Sequence, residues 1–300
     1  MTRPVRPTAL PLLLVLLAGA LTTIAVLGPL GTGTIAYRYS ESMLNQATGL
    51  DAFALVVVVP WCLVAARLCA RGSRVGPLAA LPPAGFAAYM LVQYVVGPEY
   101  LVRDGNAERA FPLFALAFSC SVAALLLAWS RAVAPPLTVV QRGRRGIALV
   151  LLGLFVLVGM YLANGFLSAL WDFPEFVESR AGSTEYDEHP TAYWVVAFLD
   201  LAVVVPLTVT TGVALLRNRL WAHAAFYGVV GWFALVPPSV AAMAVVMVAR
   251  DDPAADTGKA VVLVVVGVAF LAAAARVFHR LADPRTWVAP ELPRVRQPVG

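Results

Sequence analysis

Eight long apolar runs divide this chain of 300 residues, and a soluble fold has no interior large enough to hide them. They cover residues 9–29, 51–70, 77–98, 111–132, 146–169, 191–216, 221–249 and 259–278. About 20 apolar residues in helical form cross the roughly 30 Å hydrocarbon layer of a bilayer, and every run is long enough. A transmembrane barrel would instead alternate apolar and polar residues in strands of about ten. Leu12-Leu13-Leu14-Val15-Leu16-Leu17 and Val261-Val262-Leu263-Val264-Val265-Val266 show no such alternation. Charged residues make up only 13% of the chain, about half the roughly 25% of a soluble domain. The expected fold class is an all-α membrane protein, a bundle of about eight transmembrane helices over residues 1–280. Residues 281–300, with Pro284, Pro290, Pro293 and Pro298, read as a disordered cytoplasmic tail.

The basic residues give the expected orientation. The N-terminus, the second, fourth and sixth connections and the C-terminal tail, with the span ends beside them, hold sixteen of the 22. The opposite side holds Arg38, Arg103, Arg109, Arg180, Arg250 and Lys259. Cytoplasmic connections carry the excess of Lys and Arg, so both termini are expected in the cytoplasm of a multi-pass cell-membrane protein. The net charge of +5 then reflects a basic inner face suited to anionic lipid headgroups. No connection is long enough for a nucleic-acid-binding domain. Arg3 and Arg6 before an apolar run resemble a signal peptide, but the run continues to about Leu30, so an uncleaved first helix is expected. Cys62, Cys69 and Cys120 all fall within spans, and without a Cys-x-x-Cys pair they read as small packing residues.

The two halves look alike. Pro60 lies eleven residues before Arg71, and Pro206 lies eleven before Arg217. A shift of 146 residues lays the second, third and fourth spans over the sixth, seventh and eighth, which suggests parallel four-helix repeats at 9–132 and 146–278. Pro82-Pro83 and Pro237-Pro238 conflict with that register, being 155 apart. Gly49-Leu50-Asp51 running into Pro60, the Tyr89–Tyr94 segment, and Leu199-Asp200-Leu201 running into Pro206-Leu207 carry a resemblance. Over most of residues 35–245 the chain resembles an uncharacterised family of bacterial polytopic membrane proteins. That resemblance implies the fold and no reaction, ligand or cofactor. The family's third span is richer in tyrosine and asparagine than this one.

One residue carries most of the chemistry. Asp200 stands alone in the sixth run, roughly 14 Å deep at about 1.5 Å per residue. A carboxylate there costs several kcal/mol unless neutral, paired or hydrated, and no basic residue lies deep in any run. Two readings stay open: a proton or cation site, or a neutral tie between helices beside Pro206, whose ring frees the carbonyl of Ala202. Expected partners are Tyr89 and Gln93, sharing a face of the third run with Tyr100, and Asn164 in the fifth. Asp51 reads as an acid at the start of the second span, where it suits the helix dipole. The fifth connection is acidic, with Asp172, Glu175, Glu178, Glu185, Asp187 and Glu188 beside His189. It reads as a solvated loop flanked by Trp171, Tyr193 and Trp194, with no metal-ligand spacing.

No Walker A loop, His-Glu-x-x-His or Gly-x-Ser-x-Gly is present. The single lysine, Lys259, lies at a helix end, which excludes a mid-membrane Schiff base. No enzyme activity, cofactor or metal is expected. The leading expectation is a small-solute or ion-coupled transporter-like protein with Asp200 as its intramembrane acid, and a small solute or cation as partner beside the lipid bilayer. The alternative is a non-catalytic membrane scaffold or sensor acting through the acidic outer loop.

Overall fold

The computed structural model describes residues 9–180 and 184–287, which contain helices and no strand. Eight helices are long and apolar enough to cross a membrane: α1 (Ala9–Leu27), α2 (Glu41–Ala70), α3 (Val75–Val96), α4 (Ala107–Arg131), α5 (Val139–Asn164), α6 (Pro190–Leu216), α7 (Leu220–Ala249) and α8 (Thr257–His279). With eight such helices the start of α1 and the end of α8 lie on one face, and the opposite face is called distal below. Short capping residues fix several starts. Ser40 accepts the Met43 N–H ahead of α2, Thr138 and Gln141 form a reciprocal box ahead of α5, and Asp256 accepts the Lys259 N–H ahead of α8.

Several boundaries differ from the sequence expectation: α5 spans 139–164 rather than 146–169, and three other differences change the surroundings of named residues. α2 begins at Glu41 rather than residue 51, and Ser42, Asn45, Gln46 and Thr48 in this added stretch are buried instead of facing water. Asn45 donates to Asp252 at 2.8 Å and accepts from Arg250 at 3.0 Å, which ties α2 to the last distal connection. α3 ends at Val96, so Tyr100 lies beyond the helix, bonded to the Val95 carbonyl, and does not share a face with Tyr89. Residues 280–287 form short 3-10 turns, and the Trp287 indole donates to the Leu281 carbonyl. The folded chain therefore enters the segment expected to be disordered, while 288–300 lie outside the described residues.

α3 is the most buried span and α8 the least. α1 packs on α2 and α4, α3 on α4, α5 on α6, and α7 on α8. α3 and the distal half of α2 both lie against α7, and this joins the halves. At the second contact the backbones nearly touch. A Cβ on Gly49 would sit 2.5 Å from Met243 Cα and 2.6 Å from the Ala242 carbonyl oxygen, so only glycine permits this approach. α1 and α4 pack together along one flank, whereas α5 and α8 do not pack along their length.

Local geometry recurs at an offset of 146 residues. α2 and α6 each contain a π-turn, Ala54–Val58 and Asp200–Val204, followed by a proline at the second position of the next helix, Pro60 and Pro206. Proline lacks an N–H and its ring crowds the carbonyl four residues back. One wide turn makes room for that ring, and π-turns of this kind recur at functional sites. At the other end, Gly72 and Asn218 take left-handed φ of 69° and 56°. Ser73 and Arg219 then bond back to the carbonyls of Leu68 and Ala214, again 146 apart. α3 and α7 do not follow this register. α3 runs through Pro82 and Pro83 without a break, whereas α7 is interrupted at Ala234–Leu235 before Pro237 and Pro238.

Candidate functional site

Asp200 opens the π-turn of α6, ten residues from its distal end, and is 8% exposed. Each of its oxygens accepts a phenol: Tyr89 of α3 donates to Oδ1 at 2.9 Å and Tyr161 of α5 to Oδ2 at 2.7 Å. Asp51 of α2 has the same environment and is 1% exposed. Tyr94 of α3 donates to its Oδ1 at 2.6 Å, and Tyr37, from the first connection, donates to Oδ2 at 3.2 Å. Burial, reinforced by the Asp51 carboxyl, holds the Tyr37 phenol well above its ordinary value, so it remains a donor. Neither acid forms an ion pair with a described residue. α3 thus supplies one tyrosine to each acid.

The interfacial reading of Asp51 is overturned. With α2 starting at Glu41, Asp51 lies ten residues into the span, and its neighbours are two phenols rather than a helix start. The two acids are not equivalent under the 146-residue offset, since Ala54 and not Asp51 matches Asp200.

In front of the tyrosines lies a cavity of about 580 Å³ in the distal half of the bundle. That is within the range of small-molecule sites. It extends from α5 and α6 across α3 and α2 to α7 and α8. Tyr89, Gln93 and Asn164, all expected as Asp200's neighbours, line it, together with Tyr94, Tyr161, Gln46 and Ser239. Only Tyr89 of the expected partners bonds to Asp200. The Gln93 backbone carbonyl accepts the Tyr39 hydroxyl, and the Asn164 amide donates to the carbonyls of Gly159 and Met160. Tyr161, which the sequence reading did not single out, is the second partner. Asp200 and Asp51 stand behind this wall, reached through their tyrosines.

The described residues of the fifth connection include helical segments as well as exposed acids. It folds as short helices, Phe173–Arg180 and Thr184–Glu188, over an aromatic cluster in which Phe176 meets Phe166, Tyr186, Tyr193 and Trp194. Asp172, Glu175, Glu178 and Asp187 are exposed, and Glu188 lies 3.6 Å from Arg103. Asp172 also caps the first short helix by accepting the Glu175 N–H. The Glu185 side chain lies outside the described residues. Among those residues no cluster of three His, Cys, Asp or Glu side chains is placed to hold a metal.

His189 is buried, and its Nε2 accepts the Ser40 N–H at 2.7 Å, which joins the start of α2 to that of α6. Glu99 adds to this joint by accepting the Thr191 N–H. Desolvation, then the nearby Arg103, push the imidazole below its ordinary value, with Glu99 and Glu188 opposing. The folded state therefore holds His189 neutral, and its contribution to stability is intact above the ordinary value of about 6.5. That contribution falls as pH drops below about 6.5, because the unfolded chain takes up the proton more readily. Apparent melting temperature should fall between about pH 7 and pH 5, and His189→Gln, whose amide oxygen still accepts from Ser40, should flatten that slope. Equal slopes for native and variant protein would remove His189 from this account.

No protein-family model, curated protein or solved structure matches this chain.

Proposed function

We propose that this integral membrane protein binds a small solute in the distal cavity and that Asp200 serves as its coupling acid, in the manner of a transporter. The observation that carries this reading is the placement of the cavity, which ends on Tyr89 and Tyr161, the two residues that hold Asp200. A phenol between solute and carboxyl gives a route by which solute and proton or cation sense each other. Asp200 lies at a π-turn where backbone hydrogen bonding is already altered, so a change in its protonation can alter the bend of α6. A second reading of Asp200 rests on the same bonds: with both oxygens satisfied, it is a neutral tie between α3, α5 and α6.

Infrared difference spectra against pH separate the two. A coupling acid shows a carboxyl band that titrates between about pH 5 and 9 and is missing from Asp200→Asn. A silent band leaves the helix tie.

We also propose cytoplasmic termini in the cell membrane, supported by the bias of basic residues, and an origin of the halves by duplication, supported by the recurring π-turns and caps. In intact cells, a cysteine replacing exposed Glu178 should react with an impermeant thiol reagent, and one replacing Arg144 should not. The reverse labelling would invert the orientation.

A further inference from the structure

We propose that the distal cavity takes a lipophilic organic cation, an aromatic or alkyl body bearing one fixed positive charge; this rests on the reading of the cavity as a solute site. The first support is the electrostatics of its wall. Tyr89, Tyr94 and Tyr161 line the cavity, and their hydroxyls are committed to Asp200 or Asp51. A cation in the cavity has three phenol rings beside it, whose faces attract positive charge, and their hydroxyls lead to two carboxyl groups. Among the described residues the only basic side chain lining the cavity is Lys259, which is 82% exposed and 3.9 Å from Asp256. No arginine or histidine lines the cavity among the described residues.

The second support is the apolar part of the lining. The chain has six methionines, and all five after Met1 line this one cavity: Met43, Met90, Met160, Met243 and Met247. Unbranched, polarizable thioethers adapt to bodies of differing shape and sit well against aromatic groups. With Phe86 and the tyrosines they form a surface suited to a bulky hydrophobic ligand, while Gln46, Gln93 and Ser239 satisfy few polar groups.

Tetraphenylphosphonium and tetraphenylborate, of the same shape and opposite charge, test this with the purified full chain in lipid nanodiscs, by equilibrium dialysis against protein-free nanodiscs. The phosphonium should bind saturably and the borate should not. Tyr89→Leu should weaken phosphonium binding about tenfold, whereas Tyr89→Phe, which keeps the ring, should weaken it less. Lys259→Glu at the exposed mouth, which leaves the bundle untouched, should tighten it about two- to threefold at low salt, an effect lost in high salt. Equal binding of both ions, no saturable phosphonium binding, or weaker binding by Lys259→Glu would each overturn the cation assignment. A titrating Asp200 band with no phosphonium binding would overturn the ligand class and leave the coupling reading standing. Phosphonium binding with a silent Asp200 band would support the ligand class and remove the coupling role.

Discussion

Gly49→Ala should cost this protein most of its folded yield, although it adds a single methyl group. That methyl would press on the Met243 Cα and the Ala242 carbonyl oxygen, both backbone atoms of α7. Backbone does not rotate away as a side chain does, so α2 and α7 must separate. Overpacking of a rigid site costs about 1–3 kcal/mol where side chains can yield, and this site has none that can. The damage would extend to function, because Ala47 and Leu50 on α2 and Met243 and Met247 on α7 line the same cavity. Gly19→Ala in α1 is the control: no neighbouring atom comes within 4 Å of its added methyl. Size-exclusion profiles and apparent melting temperatures in detergent should show Gly19→Ala close to native and Gly49→Ala aggregated or strongly destabilised. Equal behaviour of the two would mean that the halves do not meet as described.

Asp51→Leu should destabilise the bundle by about 2–5 kcal/mol, since it leaves the Tyr94 and Tyr37 hydroxyls buried without their acceptor. Tyr94 makes the shorter bond, at 2.6 Å, and its hydroxyl has no other hydrogen-bond partner among the described residues. Asp51→Asn should cost about 1 kcal/mol or less, because the amide oxygen can accept from Tyr94 and the Tyr37 hydroxyl can turn to accept from the amide nitrogen. The ordering Leu far worse than Asn follows from hydrogen bonding and not from charge. An Asn variant as damaged as the Leu variant would show that the ionised carboxylate itself holds the site. Ring packing adds to the cluster, with Tyr37 and Tyr94 centroids 5.2 Å apart and Phe114 beside both. Tyr94→Phe should therefore fall between the two Asp51 variants.

The eight crossings were legible because long apolar runs have few other uses, and Asp200 was legible because its neighbours are all apolar. Asp51 was not. The ten residues before it include Glu41, Ser42, Asn45, Gln46 and Thr48, and a polar stretch ahead of an apolar run reads as a loop. In the folded chain Glu41 stays exposed, but Ser42, Asn45, Gln46 and Thr48 are buried, and Asn45 and Thr48 find partners on a connection some 200 residues away in sequence. Periodicity carries no record of such long-range pairing. Tyr161 was missed for a related reason: one hydroxyl in an apolar helix gives no sign of what it bonds to. The prolines at 60 and 206 marked where α2 and α6 would bend, but only the structure shows the bend as a π-turn that begins at Asp200. The aromatic cluster under the fifth connection was also hidden, since Phe173, Phe176, Tyr186 and Trp194 are spread among acids.

The central claim is that an open cavity, not a dry helix contact, reaches the tyrosines that hold Asp200. The most direct measurement is the reactivity of a cysteine replacing Gln93, one turn from Tyr89 on the cavity wall, with the three native cysteines replaced by alanine. Leu14, fully buried in α1, gives the closed control. In the folded protein Gln93→Cys should react with a small water-soluble methanethiosulfonate at a rate within about a hundredfold of an exposed thiol, and Leu14→Cys should react only after unfolding. Tetraphenylphosphonium should slow the Gln93→Cys reaction. A Gln93→Cys as inert as Leu14→Cys would mean a closed, dry bundle, and Asp200 would then be a structural tie.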